Sequence, residues 1–155
     1  MKSRLAASLV LGVAVALGAT GCAMVSPQAT TIPYSPSDGV NVPDSGPLKV
    51  RNALIVTDGS GTLGNFIAAI VNDTDSAETL SLGIDGDTQT IRVPARSVLS
   101  LGSDDDDPLL LEGLDTAAGA TLPITFQSGD GTGVVAEVPV LDGELAYLEG
   151  FVPEA

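Results

Sequence analysis

Two apolar segments joined by a glycine-rich turn decide the fold class: Thr121–Gln127 (TLPITFQ) and Gly133–Leu141 (GVVAEVPVL). In the first, leucine, isoleucine and phenylalanine alternate with proline, threonine and glutamine, which places one face in a core and the other in water. Asp130-Gly131 between them is a strong β-hairpin signal. Pro123 and Pro139 lack the N–H that a strand ladder needs, so we expect both at an edge or a bulge.

Further upstream, short apolar runs are separated by Gly, Asp, Asn and Ser and are rich in Val, Ile, Leu and Thr, as strands are. Five such runs are predicted as strands: Leu48–Val56, Asn65–Val71, Thr79–Asp85, Thr88–Val93 and Ser97–Leu101. From Cys22 onward, no window longer than ten residues has a clean helical period. This pattern predicts an all-β fold, an antiparallel β-sandwich of about seven to nine strands with immunoglobulin-like architecture.

Composition and charge exclude several classes of protein and of partner. The 155 residues suffice for one domain, and 44% apolar with 17% charged residues excludes a disordered or polytopic membrane chain. Twenty acidic against six basic residues give a net charge of −14, which repels nucleic acid. The chain has no His, one Cys and two Met, so the usual general base and soft metal ligands are scarce. We therefore predict that the protein is not an enzyme.

The N-terminus has the pattern of an export signal. Lys2 and Arg4 precede an uncharged apolar stretch, Leu5–Ala19, which is shorter than the roughly 20 residues of a membrane span. Ala19-Thr20-Gly21-Cys22 resembles the lipobox of bacterial lipoproteins. The resemblance implies a signal peptide at 1–21 and acylation of Cys22, palmitate being among the acyl groups expected. The alternative is an ordinary secretory signal in which Cys22 is incidental.

A change in composition divides the remaining chain. Residues 22–46 are polar and rich in proline and are predicted to form a tether, whereas 47–155 are predicted to form the β-sandwich. Within the tether, Tyr34–Gly39 combines an aromatic residue with turn formers, and both docking on the domain and a loose tether are left open. The leader, tether, Tyr34 and Val50–Leu54 resemble actinobacterial lipoproteins with no assigned activity.

Two motifs have structural explanations as well as functional ones. Gly59–Gly64 spells GxGxxG, but the sequence after it is typical of a buried strand and not of the helix that a dinucleotide site needs. Asn72-Asp73-Thr74 matches a glycosylation sequon, which we interpret as accidental in a bacterial lipoprotein.

Four consecutive carboxylates form the strongest local charge feature: Asp104, Asp105, Asp106 and Asp107. A hard cation such as Ca²⁺ would relieve their mutual repulsion. A solvated loop is the alternative, because the spacing of a calcium loop is absent. Ca²⁺ is the one cofactor that the residues suggest, and no other cofactor is expected.

The order of landmarks in the C-terminal half resembles the periplasmic copper chaperone family, over roughly residues 65 to 142. The landmarks are, in order, Ile91–Ala95, Leu109–Leu114, Gly119–Phe126 and Val138–Val140. The resemblance implies a cupredoxin-like sandwich in which a leucine-rich strand ends in Gly113-Leu114. It also implies an extracytoplasmic compartment.

The copper ligands of that family are missing here. The resemblance implies a His-x-Met pair where this chain has Pro108 and Leu110, and a second pair between Val71 and Ile84, where no His or Met occurs. Carboxylates do not replace the soft donors that Cu(I) requires.

These observations predict a lipid-anchored, non-enzymatic interaction or envelope-structural module on the extracytoplasmic face of the cell membrane. Its expected partners are the membrane, through the N-terminal lipid, and an unidentified envelope protein, with no nucleic acid. One alternative is a Ca²⁺-binding protein that uses the loop at 104–107. A second is a diverged metallochaperone-like protein without Cu(I) ligands.

Overall fold

The computed structural model describes residues 2–19, 34–35 and 37–154, in two compact units, Met1–Tyr34 and Ser35–Ala155. In the first unit the described structure is one helix, α1 (Lys2–Ala19), over the predicted signal sequence. None of the helices in the described ranges has the length and hydropathy of a membrane span. Cys22 and most of the predicted tether lie outside the described residues.

The second unit is built from eight strands. They are β1 (Leu48–Thr57), β2 (Leu63–Asn72), β3 (Glu78–Ile84), β4 (Asp87–Val93), β5 (Ser97–Leu101), β6 (Leu109–Glu112), β7 (Thr121–Ser128) and β8 (Val134–Leu141). All seven segments predicted from periodicity are strands. β6 was not among them; its place matches the leucine-rich strand that the family resemblance implied.

The strands form a nearly closed, mixed sheet in the order β4-β3-β7-β8-β1-β2-β5, with β6 beside β2. The predicted all-β sandwich is confirmed, but the sheet is not purely antiparallel. β8 lies parallel to β1, with Ile55 opposite Val140 and Val56 opposite Leu141. The parallel pair arises because the β7–β8 hairpin returns the chain to β1 in the direction in which β1 runs.

The two prolines lie in interior strands, yet each has a strand neighbour on one side alone. Pro123 is opposite Glu137 of β8, but the pairing of β7 with β3 covers only Thr125–Ser128. Pro139 is opposite Thr121, and the parallel pairing with β1 begins one residue later. Both prolines therefore lie at a local edge of the sheet, beyond the end of the pairing with one of their two neighbouring strands.

Two apolar clusters hold the unit together. The main core is enclosed by the sheet and includes Phe66 of β2 and Phe126 of β7, whose ring centroids are 6.2 Å apart. A smaller cluster covers Leu54 and Val56 with Leu148 from the C-terminal segment. β1 is consequently buried continuously from residue 53 to residue 57, where a strand with one solvated face would alternate.

The segment before β1 docks on it. Val40 and Ala53 exchange backbone hydrogen bonds of 2.9 and 2.8 Å, and the Val42 N–H donates to Val50. Val42 is 4% exposed. The compact unit therefore begins at Ser35 and includes the last residues of the predicted tether.

A β-bulge at Asn52 makes this docking possible. The register of β1 against β2 shifts between Arg51 and Leu54, and Asn52 adopts a φ of 51°, a conformation that asparagine tolerates better than most residues. Its side-chain oxygen accepts a hydrogen bond from the Gly39 N–H at 3.0 Å, and its own N–H donates to Asn41 at 3.1 Å. A Cβ at position 39 would overlap the Asn52 backbone, so this contact needs glycine.

The C-terminal segment also contacts the segment that precedes β1. The Tyr147 hydroxyl donates a 2.8 Å hydrogen bond to the Asp38 carboxylate. That bond, with desolvation and the Asp38 charge, raises the pKa of Tyr147 above its ordinary value of 10.0. Deprotonation removes the donor and sets two negative charges against each other, so the contact is present below the raised pKa and lost above it.

We expect Asp38→Asn to lower the pKa of Tyr147 towards 10. Tyr34 and Tyr147 are the only tyrosines and the chain has no Trp, so a Tyr34→Phe background leaves a single phenolate absorbance to titrate near 295 nm. An unchanged titration in the Asp38→Asn variant would mean that the two segments do not touch in solution. Asp142→Asn removes an equal charge elsewhere and serves as the control.

Candidate functional site

A cleft of about 330 Å³ opens where the β sheet fails to close, between the β3–β4 hairpin and β6. On one side, the two-residue turn Asp85-Gly86 joins β3 to β4. Both turn residues have positive φ, 48° and 96°, as a type I′ hairpin requires. The tight turn fixes the first residues of β4 at the cleft wall.

The opposite wall is formed by β6 and the residues after it. β6 pairs with the first half of β2, from Leu63 to Phe66. Beyond β6, the Leu114 N–H donates to Thr62 at 3.2 Å and the Thr116 N–H donates to Gly61 at 3.1 Å. The glycine-rich β1–β2 loop therefore holds this wall in place. The last two residues of its GxGxxG sequence, Leu63 and Gly64, already belong to β2, so the motif leads into a strand, as predicted.

The cleft has an apolar floor and polar rims. Leu111 and Leu114 are almost fully buried beneath it. Along β4, Ile91 and Val93 are buried, but Asp87 and Gln89, at the alternating positions that precede them, are exposed. Since alternate strand residues share a face, the face of β4 that lines the core changes from apolar to polar where the cleft begins.

Carboxylates are the only charged side chains in the lining. They are Asp85, Asp87 and Glu112, all exposed, and no Lys or Arg is among the lining residues. Of the positions where the family resemblance implied copper ligands, Leu110 lies in the cleft wall and Pro108 immediately precedes β6. Neither side chain offers a donor atom. The only Met, Cys or His residues of the chain are Met1, Cys22 and Met24.

The four consecutive aspartates lie in the β5–β6 loop. Their backbone is ordered by the Asp106 carbonyl, which accepts hydrogen bonds from the N–H groups of Gly102 and Ser103 at 2.8 and 3.1 Å. Asp104, Asp105 and Asp107 are exposed and Asp106 is half-buried. Among the residues that the structure describes, no three His, Cys, Asp or Glu side chains are grouped to hold a metal ion. Calcium binding by this loop stays a prediction.

A thermal melt tests the loop directly. Replacing Asp104 to Asp107 by Asn is expected to leave the melting temperature unchanged or to raise it, because the substitutions remove mutual repulsion. With the aspartates only hydrated, millimolar Ca²⁺ and EDTA give the same melting temperature. A rise of several degrees with Ca²⁺, lost in the Asn variant, would establish the calcium site instead.

No motif in the sequence marks Thr88, Gln89 or Glu112 as site residues. The Asp85-Gly86 pair marks the hairpin that places Thr88 and Gln89, but β6 comes to face them only through its pairing with β2. Cys22, the predicted lipidation site, lies outside the described residues.

The strand order defines a small β-sandwich domain, and comparison with solved structures shows that its fold is cupredoxin-like. The apo PCuAC domain from PmoF1 matches with a TM-score of 0.51 and 17% identity, over 64% of this chain and 97% of that domain. The copper-bound PCuAC domain from PmoF2 matches with a TM-score of 0.50 and 14% identity, over 65% and 97%. The apo PmoF2 domain gives 0.52 and 13%, over 67% and 96%.

At these identities the likeness concerns the fold. These neighbours are copper chaperone domains, so the copper-chaperone-like fold that the sequence suggested is confirmed. No family model matches the sequence, and no curated protein matches it.

Proposed function

We propose that this protein is a non-enzymatic binding module, held by a lipid on Cys22 at the extracytoplasmic face of the cell membrane, and that it acts by binding another envelope protein. The observation that carries the proposal is the cleft between the β3–β4 hairpin and β6, which combines an apolar floor with acidic rims. This combination suits a ligand that is partly apolar and positively charged.

The side chains of the cleft favour binding over catalysis. The lining holds no imidazole, thiol or amine, and these are the groups that usually serve as a base or an activated nucleophile. Its three carboxylates are exposed to water.

Anchoring rests on the sequence. The short apolar leader and Ala19-Thr20-Gly21-Cys22 support export and acylation, and the chain after the leader keeps only four basic residues, Lys49, Arg51, Arg92 and Arg96. An electrostatic attachment to anionic lipid is therefore weak. In this proposal the acyl chains alone hold the protein at the membrane.

Labelling and cross-linking in cells test both parts of the proposal. In a bacterial host fed an alkyne fatty acid, the wild-type chain is expected to take up the label and fractionate with the membrane, whereas Cys22→Ala does neither. Accessibility to added protease in spheroplasts reports the face of the membrane.

A photo-crosslinking residue at Thr88, in the cleft wall, is expected to capture an envelope protein. The same residue at Asp130, outside the cleft, serves as the control. Absence of label or of any cross-link contradicts the proposal.

The likeness to PCuAC domains favours a second candidate, a diverged metallochaperone-like protein. Residues 35–155 have no His, Cys or Met, so such a role would not use the soft donors that Cu(I) prefers. Competition against a Cu(I) chelator decides between the two candidates. No withdrawal of Cu(I) from the chelator supports the binding module, and stoichiometric withdrawal supports the metallochaperone.

A further inference from the structure

We propose that the cleft receives an extended, positively charged segment of the partner protein, which adds as a strand between β4 and β6. The inference rests on the proposed binding function and names its site and the chemistry of its partner. Four observations carry it: the gap in the sheet, the unpaired strand edges, the chemistry of the walls and the charge of the rest of the chain.

The gap follows from the sheet order. β5 and β6 pair with the same edge of β2, β5 along Ala68–Asn72 and β6 along Leu63–Phe66. β4 and β5 approach each other through the short connection Pro94–Arg96. The hairpin end of β4 and the facing strand β6 are left apart, and the cleft fills the space between them. The sheet therefore lacks a strand here.

Both walls of the gap are strand edges. Among the described residues, β4 pairs only with β3, and β6 pairs only with β2. A strand with one neighbour leaves alternate N–H and C=O groups unpaired on its other side, and these groups can bind an extended peptide. The edges run over Asp87–Thr90 and Leu109–Glu112. At about 3.3 Å per residue, each accommodates four to five residues of added strand.

The side chains of the cleft define what that strand carries. Leu111 and Leu114 form the floor, so one set of alternating residues in the added strand is apolar. The rims carry Asp85, Asp87 and Glu112 with no basic residue among the lining, so the added strand also carries Lys or Arg. Arg92, also on β4, lies outside the cleft lining.

The protein itself is a poor source of this strand. Residues 20–33 contain no Lys or Arg. Lys49, Arg51 and Arg96 form ion pairs of 2.8, 2.6 and 2.8 Å with carboxylates of the same unit. A second copy carries the same net charge of −14, which opposes self-association. The occupant is therefore a basic segment of a different protein.

The experiment measures fluorescence anisotropy of a labelled peptide of alternating Lys and Val, titrated with the full chain in nonionic detergent. The lysine peptide is expected to bind, and the matched peptide with Glu in place of Lys is not. A peptide with alternate backbone amides methylated along one edge keeps the side chains but loses donors on that edge. The two peptides that carry the methyl groups on opposite edges are compared, and at least one is expected to bind about tenfold more weakly.

Protein variants locate the site. Asp85→Asn, Asp87→Asn and Glu112→Gln together are expected to weaken binding by about tenfold or more at low salt. The matched control removes the same charge outside the cleft, with Asp130→Asn, Glu144→Gln and Glu149→Gln, and is expected to change affinity by less than about threefold. Circular dichroism confirms that both triple variants are folded.

Several outcomes would overturn the inference. They are absence of binding, equal weakening by the two triple variants, and full affinity of both methylated peptides. These failures are distinguishable from failure of the proposed function. If the anchored cleft variant still cross-links to an envelope protein in cells, the binding module stands and the basic strand is wrong. If the anchored wild-type chain captures no protein, both are wrong.

Discussion

Phe66→Ala is expected to lower the free energy of unfolding by about 3–5 kcal/mol. Phe66 is fully buried in β2 and its ring lies 6.2 Å from that of Phe126 in β7, at a tilt of 40°. The two strands lie in different parts of the sheet order, so this pair joins opposite walls of the core. Truncation removes the apolar burial and leaves a cavity that the surrounding strands fill only partly.

Guanidinium unfolding followed by far-ultraviolet circular dichroism measures this loss, on the chain from residue 23 onward. Phe151→Ala is the matched control, since Phe151 is only half-buried in the smaller cluster, and it is expected to cost about 1–2 kcal/mol. If Phe66→Ala cost no more than the control, the two walls of the core would not meet through the aromatic pair.

Asn72→Asp is expected to cost about 2–5 kcal/mol at pH 7, although it changes one nitrogen to oxygen. Asn72 is 1% exposed. Its Nδ2 donates to the carbonyls of Ser76, Val93 and Pro94 at 2.9, 3.1 and 2.8 Å. Its Oδ1 accepts from Thr74 N and Oγ1 at 3.0 and 2.8 Å. A carboxylate would set negative oxygen against three carbonyl oxygens.

The pH dependence of this variant has a definite sign. A buried aspartic acid facing carbonyls has a raised pKa, because only its protonated form can donate a hydrogen bond. The loss of stability is therefore expected to be smaller at pH 4 than at pH 7. Asn65→Asp is the control, since the Asn65 side chain donates to the Phe151 carbonyl alone. An equal cost for both variants would contradict a special role for Asn72.

Local pattern predicted the strands of this fold well, and failed where pairing between distant residues decides the structure. β7 alternates cleanly, and its period was readable. β6 is four residues long and three of them are leucine, so no alternation exists to detect. The docking of Val40 and Val42 depends on a bulge at Asn52, which has no signature in the sequence.

The sequon at Asn72 and the cleft show two further limits. Asn72-Asp73-Thr74 has the pattern of a modification site, but the amide is buried and ties the end of β2 to the β4–β5 connection. The cleft carboxylates Asp87 and Glu112 are far apart in the chain and lie in one lining only through the sheet order. The family resemblance predicted the fold, because this chain keeps the order of the family's landmarks. It did not predict the cleft as a binding site, because the positions of the family's copper ligands hold no donor side chain here.

The parallel pair between β1 and β8 also sets the timing of folding. The first and last strands in the chain, β1 and β8, are neighbours in the sheet, so the edge of β1 that β8 covers stays open until the chain is complete to residue 141. Topologies with such distant pairings fold in milliseconds to seconds. The sheet therefore closes late in folding, and until then the uncovered edge of β1 at Ile55 and Val56 is open to aggregation.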